Sequence, residues 1–271
     1  MNIEKLKLKA EQGDADAQFQ LANKFFYGEG VKVDYAQSLK WATRSAAQDN
    51  PKARYRLATL YNNFRYGIPK NEEKAKVLFE GAKEGLIRLA GQNDAQAQYN
   101  LGCMYDHGKG VERNEQEAAK WLRKAAEQEH AAAQYYLGWM YFNGKGVEND
   151  EQEVAKWLRK AAEQEHAPAQ CLLGWMYSNG EGVEKNEQEA VKWYRKAAEQ
   201  EHAQAMVKLS LLAWFANNSI EAYMWSDLAA FYGGTWEGLE MGQNELNPDQ
   251  IAEAEAKARE FHQKIEARKQ V

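Results

Sequence analysis

The chain has 271 residues, 44% of them apolar and 28% charged, with 35 Lys and Arg against 40 Asp and Glu. That content provides for a sizeable core, and the net charge of −5 excludes a generally basic nucleic-acid binder. Four prolines and two cysteines exclude a Pro-rich linker and a disulfide scaffold, and no run approaches the length of an apolar membrane span.

Residues 1–9 alternate charge with apolar positions, so they carry no continuous apolar segment of a secretory signal. From there the sequence repeats itself. Residues 126–161 and 162–197 superimpose without a gap and agree at 26 of 36 positions. Residues 90–125 fit the same frame through Gln98, Gln134 and Gln170, and Gln18 and Arg54 extend it backward with eight residues inserted between Arg54 and Gln98. Five full repeats and a sixth, degenerate one result. Their boundaries fall near 10–46, 47–82, 90–125, 126–161, 162–197 and 198–232, with an insertion at 83–89 and a C-terminal segment over 233–271.

Each repeat reads as two helices. In the third, Leu101, Gly102 and Tyr105 form the first apolar series. Ala118, Trp121, Leu122 and Ala125 form the second, at the spacing of one buried stripe. Gly108-Lys109-Gly110-Val111 makes the turn between them, and Asn114 with Glu117 reads as a capping box for the second helix. Asp34 with Gln37, Asp150 with Glu153 and Asn186 with Glu189 repeat that signal, whereas Asn71 with Lys74 breaks it. The insertion adds nearly two helical turns and keeps Leu78, Ala82, Leu86 and Leu89 on one face, which predicts a single long helix over about 71–90. Near the C-terminus, 235–246 reads as a short helix. Asn247-Pro248 then opens a polar helix over about 248–269, suited to capping the end of a stack. The fold predicted is all-α: an α/α solenoid of about six helix-turn-helix repeats of 36 residues with a C-terminal capping helix.

The unit A-E-Q-E-H-A-x-A-Q-x-x-L-G-W-M-Y-x-N-G-x-G-V resembles the Sel-one-like repeat (SLR) family, within the tetratricopeptide-like superfamily. The resemblance covers most of the chain. It implies a right-handed superhelix with a concave groove and a role as a protein-protein interaction adaptor or scaffold, of the kind found in bacterial signalling, secretion and host-interaction settings. It also assigns the groove to the first-helix face opposite the core. On that face lie Asp16, Phe19, Asn23, Phe26 and Tyr27 in repeat one, Lys52, Tyr55, Thr59, Asn62 and Asn63 in repeat two with Arg56 beside them, and Gln96, Tyr99, Cys103, Asp106 and His107 in repeat three. Tyr135, Trp139 and Phe142 follow in repeat four, and Cys171, Trp175 and Asn179 in repeat five. Two readings stay open for the aromatics: packing between hairpins, or anchors for a partner, for which large rigid rings are suited. Residues 1–90 carry a net +5 and the remainder −10. Lys52, Arg54, Arg56 and Arg65 gather in repeat two, which fits an acidic segment or equally a solvated basic face.

Catalytic signals are missing. His130, His166 and His202 share one repeat position, occupied elsewhere by Asp14, Asn50 and Asp94, so they read as helix starts and not as metal ligands. Cys103 and Cys171 occupy different repeat positions with a whole repeat between them, so they read as free thiols. No phosphate-binding loop, dinucleotide motif or β-lactamase motif is present. The expectation is a non-enzymatic adaptor with no cofactor and no metal. The chain is expected to be a cytoplasmic monomer that binds a protein or peptide, and neither nucleic acid nor membrane. The alternatives are an immunity protein that neutralises a bacterial toxin, then a β-lactamase-like hydrolase, and a secreted or periplasmic location if a signal peptide has been removed.

Overall fold

The computed structural model describes residues 3–28, 30–234 and 246–268. Among them every regular element is helical. The α-helices are α1 (Ile3–Glu11), α2 (Ala15–Tyr27), α3 (Tyr35–Ala46), α4 (Pro51–Asn62), α5 (Glu72–Gly91), α6 (Ala95–His107) and α7 (Glu115–Glu127). They continue with α8 (Ala131–Asn143), α9 (Glu151–Glu163), α10 (Ala167–Asn179), α11 (Glu187–Ala198), α12 (Ala203–Phe215), α13 (Ser219–Phe231) and α14 (Pro248–Arg268). A 3-10 turn, Phe64–Tyr66, follows α4. The arrangement is that of an α/α solenoid, with the even-numbered helices from α2 to α12 opening each hairpin. The chain divides into two compact units. Unit 1 comprises residues 1–133 and 144–148, and unit 2 comprises 134–143 and 149–271. The short helix read at 235–246 falls almost wholly outside the described residues.

One residue pattern builds every hairpin. Leu21, Leu57, Leu101, Leu137, Leu173 and Leu209 stand at the same repeat position and all are buried. Beside them a buried glutamine ties successive elements together. In unit 1, Gln98 Nε2 donates to Ala90 O at the end of α5, and Gln98 Oε1 accepts from Gln128 Nε2 at 2.7 Å. In unit 2, Gln170 donates to Ala162 O and accepts from Gln200 at 2.8 Å. Gln18 repeats the clamp with Ala10 and Gln48. A buried amide with both ends satisfied fixes register as well as stability. Arg54 replaces it in repeat two, donating to Gly81 O and pairing with Asp49.

The turns follow the sequence with one difference. Asn114, Asp150 and Asn186 accept from the N–H groups of Glu117, Glu153 and Glu189, and Asn71 accepts from Lys74 N at 2.9 Å despite its missing Glu. The reciprocal half of the capping box is not used. The cap N–H groups of Asn114 and Asn186 donate instead to Tyr105 O and Tyr177 O, closing the hairpin, and Glu153 accepts from Trp157 Nε1 and Lys156 Nζ. In the G-x-G turn the two glycines serve different ends. Gly180 takes φ +78° and ends α10, while a Cβ on Gly182 would stand 2.3 Å from the backbone oxygen of Glu151. At Gly110, Gly146 and Gly182 the second glycine therefore lets the loop lie against the preceding second helix.

The insertion is helical. α5 runs unbroken for 20 residues and buries Ala75, Phe79, Ala82, Leu86 and Ala90. Gly85 is where α5 meets the start of α4, since a Cβ there would come within 2.7 Å of Pro51. At the other end of the chain, Asn247 and Gln250 form a full reciprocal capping box for α14. α14 buries Ala254, Ala258 and Ile265, and Phe261 meets Trp225 edge-on at 4.9 Å.

Candidate partner-binding faces

In unit 1 the first helices α2, α4 and α6 bring a polar aromatic cluster together. Arg56 is only 4% exposed. Its Nε donates to Asn23 Oδ1 at 2.9 Å and its Nη2 to the Tyr27 hydroxyl at 2.8 Å. The guanidinium lies 4.0 Å from the Phe26 ring centre and 4.8 Å from that of Tyr27. Phe26 is held edge-on by Tyr27, Tyr35 and Tyr66. Next to this box, the phenols of Tyr55 and Tyr99 neighbour the Cys103 thiol. Burial pushes both phenols well above their ordinary pKa, with the neighbouring Cys103 adding to the effect. Burial likewise pushes the Cys103 thiol up to about 12, so it is a thiol and not a nucleophilic thiolate at neutral pH.

Helical angle alone placed Cys103 and Asp106 on an open groove face, and the structure corrects this: both are buried. The reason is lateral. α4 packs against α6, so residues in the middle of that face are covered by the neighbouring first helix. Phe19 is buried too, in the core beneath Lys52. Lys52 pairs with Asp94 at 2.8 Å. His107 stays half-exposed, its Nδ1 2.9 Å from Cys103 O. Asn23, Phe26 and Tyr27 lie on the groove face expected for repeat one, and the structure adds that they meet Arg56 there.

In unit 2 the corresponding surface is aromatic and uncharged. α8 and α10 contain no Asp, Glu, Lys or Arg, and α12 contains Lys208 alone. Tyr135, Trp139, Phe142 and Trp175 are each half-buried. Phe142 meets Trp175 edge-on at 5.6 Å, and Trp139 lies against Tyr136 at 5.8 Å. Asn143 and Asn179 bond back to Trp139 O and Trp175 O, which fixes the helix ends beside the rings. Leu211 continues the row on α12 one repeat beyond Trp175, half-buried, and Phe215 stands 77% exposed at the end of that helix. Cys171 is buried behind this face, and its thiol is also pushed up to about 12 by desolvation.

The three repeated histidines are helix caps. Nδ1 of His130, His166 and His202 accepts from the N–H of Ala133, Ala169 and Ala205 at 3.2–3.3 Å. His130 also stacks on Tyr99, and His166 lies against Tyr135. Accepting at Nδ1 requires the neutral ring, and burial lowers the pKa of His130 and His202 accordingly. No group of three or more His, Cys, Asp or Glu among the described residues is arranged to hold a metal ion.

Comparison with known proteins places five repeats on the chain. The Sel1 repeat profile matches residues 15–50, 51–84, 95–130, 131–166 and 167–202, each match opening on a first helix. A protective antigen of uropathogenic Escherichia coli with an SLR fold is 32% identical, with a TM-score of 0.58 over 96% of this chain and 56% of that one. A Sel1 repeat protein from Oxalobacter formigenes is 26% identical, with a TM-score of 0.58 over 85% of this chain and 99% of that one. Among curated proteins, an exopolysaccharide production negative regulator of Rhizobium meliloti is 27% identical over 45% of this chain and 48% of its own length. The chain spans less than half the length of the curated relatives it matches.

Proposed function

The chain belongs to the Sel1-repeat family, and from that premise we propose that it is a non-enzymatic adaptor that holds a protein or peptide partner against its first-helix faces. Members of the family typically mediate protein-protein interaction. The observation that carries the reading is the uncharged aromatic face of unit 2. Trp139, Phe142 and Trp175 are half-buried on helices that have no charged side chain, while the second helices α9 and α11 of the same hairpins carry Glu, Lys and Arg throughout. Core packing requires the buried side of α8 and α10 to be apolar; it does not require the outer side to be so. Large rings that are partly exposed and held by neighbours offer area to a partner at low entropic cost.

The test compares wild type with a Trp139→Glu, Trp175→Glu double variant in affinity capture from the source cell, with circular dichroism establishing that both are equally helical. A partner enriched on wild type and reduced roughly tenfold or more on the variant is the expected result. Equal retention by both removes this face from the binding site.

A further inference from the structure

α4 carries three basic residues at alternate positions, and their electrostatic situations differ. Lys52 is paired with Asp94 and Arg54 with Asp49. Arg56 is the most buried of the three, yet no carboxylate among the described residues lies within ion-pair distance of it. Its hydrogen-bond partners are an amide and a phenol, Asn23 and Tyr27. Burying a guanidinium without an opposite charge is unfavourable, and the faces of Phe26 and Tyr27 offset only part of that cost. The two bonds it makes use Nε and Nη2, and Nη1 makes none to the described residues. The end of the fork is thus held rigidly in an aromatic box with hydrogen-bonding capacity left over. That is the geometry a carboxylate accepts in bidentate fashion.

We propose that Arg56 receives the side-chain carboxylate of a glutamate or aspartate from a protein partner. The near-complete burial of Arg56 selects the source. A side-chain carboxylate stands off its main chain and can enter beside Tyr27, which is 46% exposed at the rim, whereas a chain-terminal carboxylate would have to bring its backbone into the box. The net +5 of residues 1–90 favours the approach of an acidic segment. The proposal shares with the adaptor reading the assumption that the ligand is a protein, but it concerns unit 1 and has its own readout.

The probes are three blocked tripeptides: acetyl-Gly-Glu-Gly-amide, acetyl-Gly-Gln-Gly-amide, and acetyl-Gly-Gly-Gly with a free carboxylate. The readout is the side-chain Nε–Hε signal of Arg56 in an arginine-selective NMR spectrum of the full chain. Arg56→Lys assigns the signal by its disappearance. Tyr27→Phe, which keeps the ring and removes one bond to the guanidinium, assigns it by a shift if the lysine variant does not fold. A saturable shift of Arg56 with the glutamate probe at millimolar concentrations, and none with the glutamine probe, is expected. No shift with the glutamate probe, or an equal shift with the glutamine probe, overturns the site. A larger response to the free terminus overturns the side-chain source. Because the measurement uses no partner and no residue of α8 or α10, its result is independent of the capture experiment.

Discussion

The first helices of the two units share their buried side and differ on the other. Gln18, Gln98, Gln134 and Gln170 are buried in both, as are the leucines three residues further on. Away from the shared leucine and glutamine positions, α2 and α4 of unit 1 carry Asp16, Lys24, Lys52 and Arg56, while α10 of unit 2 carries no charge and α12 only Lys208. The contrast shows that the repeat constrains one stripe of each helix and leaves the opposite stripe free to diverge. On the two proposals above, a partner is recognised through charge and hydrogen bonding in unit 1 and through aromatic area in unit 2 without a change of scaffold. Individual turns also differ in how tightly their loops are seated, and individual helices in how they are capped, and each difference can be tested by substitution.

The largest effect is expected at the second glycine of the turn. Gly182 has φ +66°, and a Cβ would meet the backbone oxygen of Glu151 at 2.3 Å, whereas Gly30 at the same repeat position has φ +69° and nothing within 4 Å. Gly182→Ala combines left-handed strain with a backbone clash and should cost about 3 kcal/mol in urea denaturation. Gly30→Ala carries the strain alone and should cost about 1 kcal/mol. Equal losses would show that close seating of the loop is not what distinguishes the two turns.

The next effect separates the caps. Asn50 in unit 1 accepts from Lys52 N and Ala53 N through an amide oxygen that does not titrate in the physiological range, while His202 in unit 2 accepts from Ala205 N through Nδ1. Burial lowers the folded-state pKa of His202, so the unfolded chain binds the proton more readily than the native one. The stability this contributes is present above the unfolded pKa of about 6.5 and is lost as pH falls through it toward the depressed folded value. His202→Asn should therefore match wild type within a few tenths of a kcal/mol at neutral pH and exceed it by roughly 1 kcal/mol in mild acid. Parallel stability curves for the two proteins over that range would remove His202 as the source of acid sensitivity.

Periodicity was enough to find the hairpins, the capping residues and the continuous α5, because each depends on neighbours within one or two turns of the same helix. Asn71 capped its helix without the expected Glu, since the Asn oxygen alone satisfies Lys74 N. The features that stayed hidden depend on distance between elements. Cys103 and Asp106 are buried because α4 lies beside α6, and nothing in the angular positions on α6 records that neighbour. Arg56 meets Asn23 and Tyr27 across 33 and 29 residues, on a helix one repeat earlier. Repeat register could have brought those three together only with the spacing between successive first helices already in hand.

The smallest effect concerns the residue that ends each second helix. Asp49 and Asn93 take left-handed φ values of 60° and 70° and Glu129 takes 58° in unit 1, and Glu165 and Glu201 take 61° and 63° in unit 2. Short polar side chains tolerate that region because they bond to their own backbone, whereas a glutamate retains the steric cost of its Cβ with less local compensation. Glu165→Asn should therefore stabilise unit 2 by about 0.5 kcal/mol, read as a raised urea midpoint with an unchanged slope. The reverse exchange, Asn93→Glu, tests the same step in unit 1 but also removes the amide oxygen that accepts from Gln98 Nε2. It should cost more than Glu165→Asn gains, and that inequality separates backbone preference from the bond to the buried glutamine. Losses and gains of equal size would mean that the left-handed turn alone sets both, and that the clamp at Gln98 holds without Asn93.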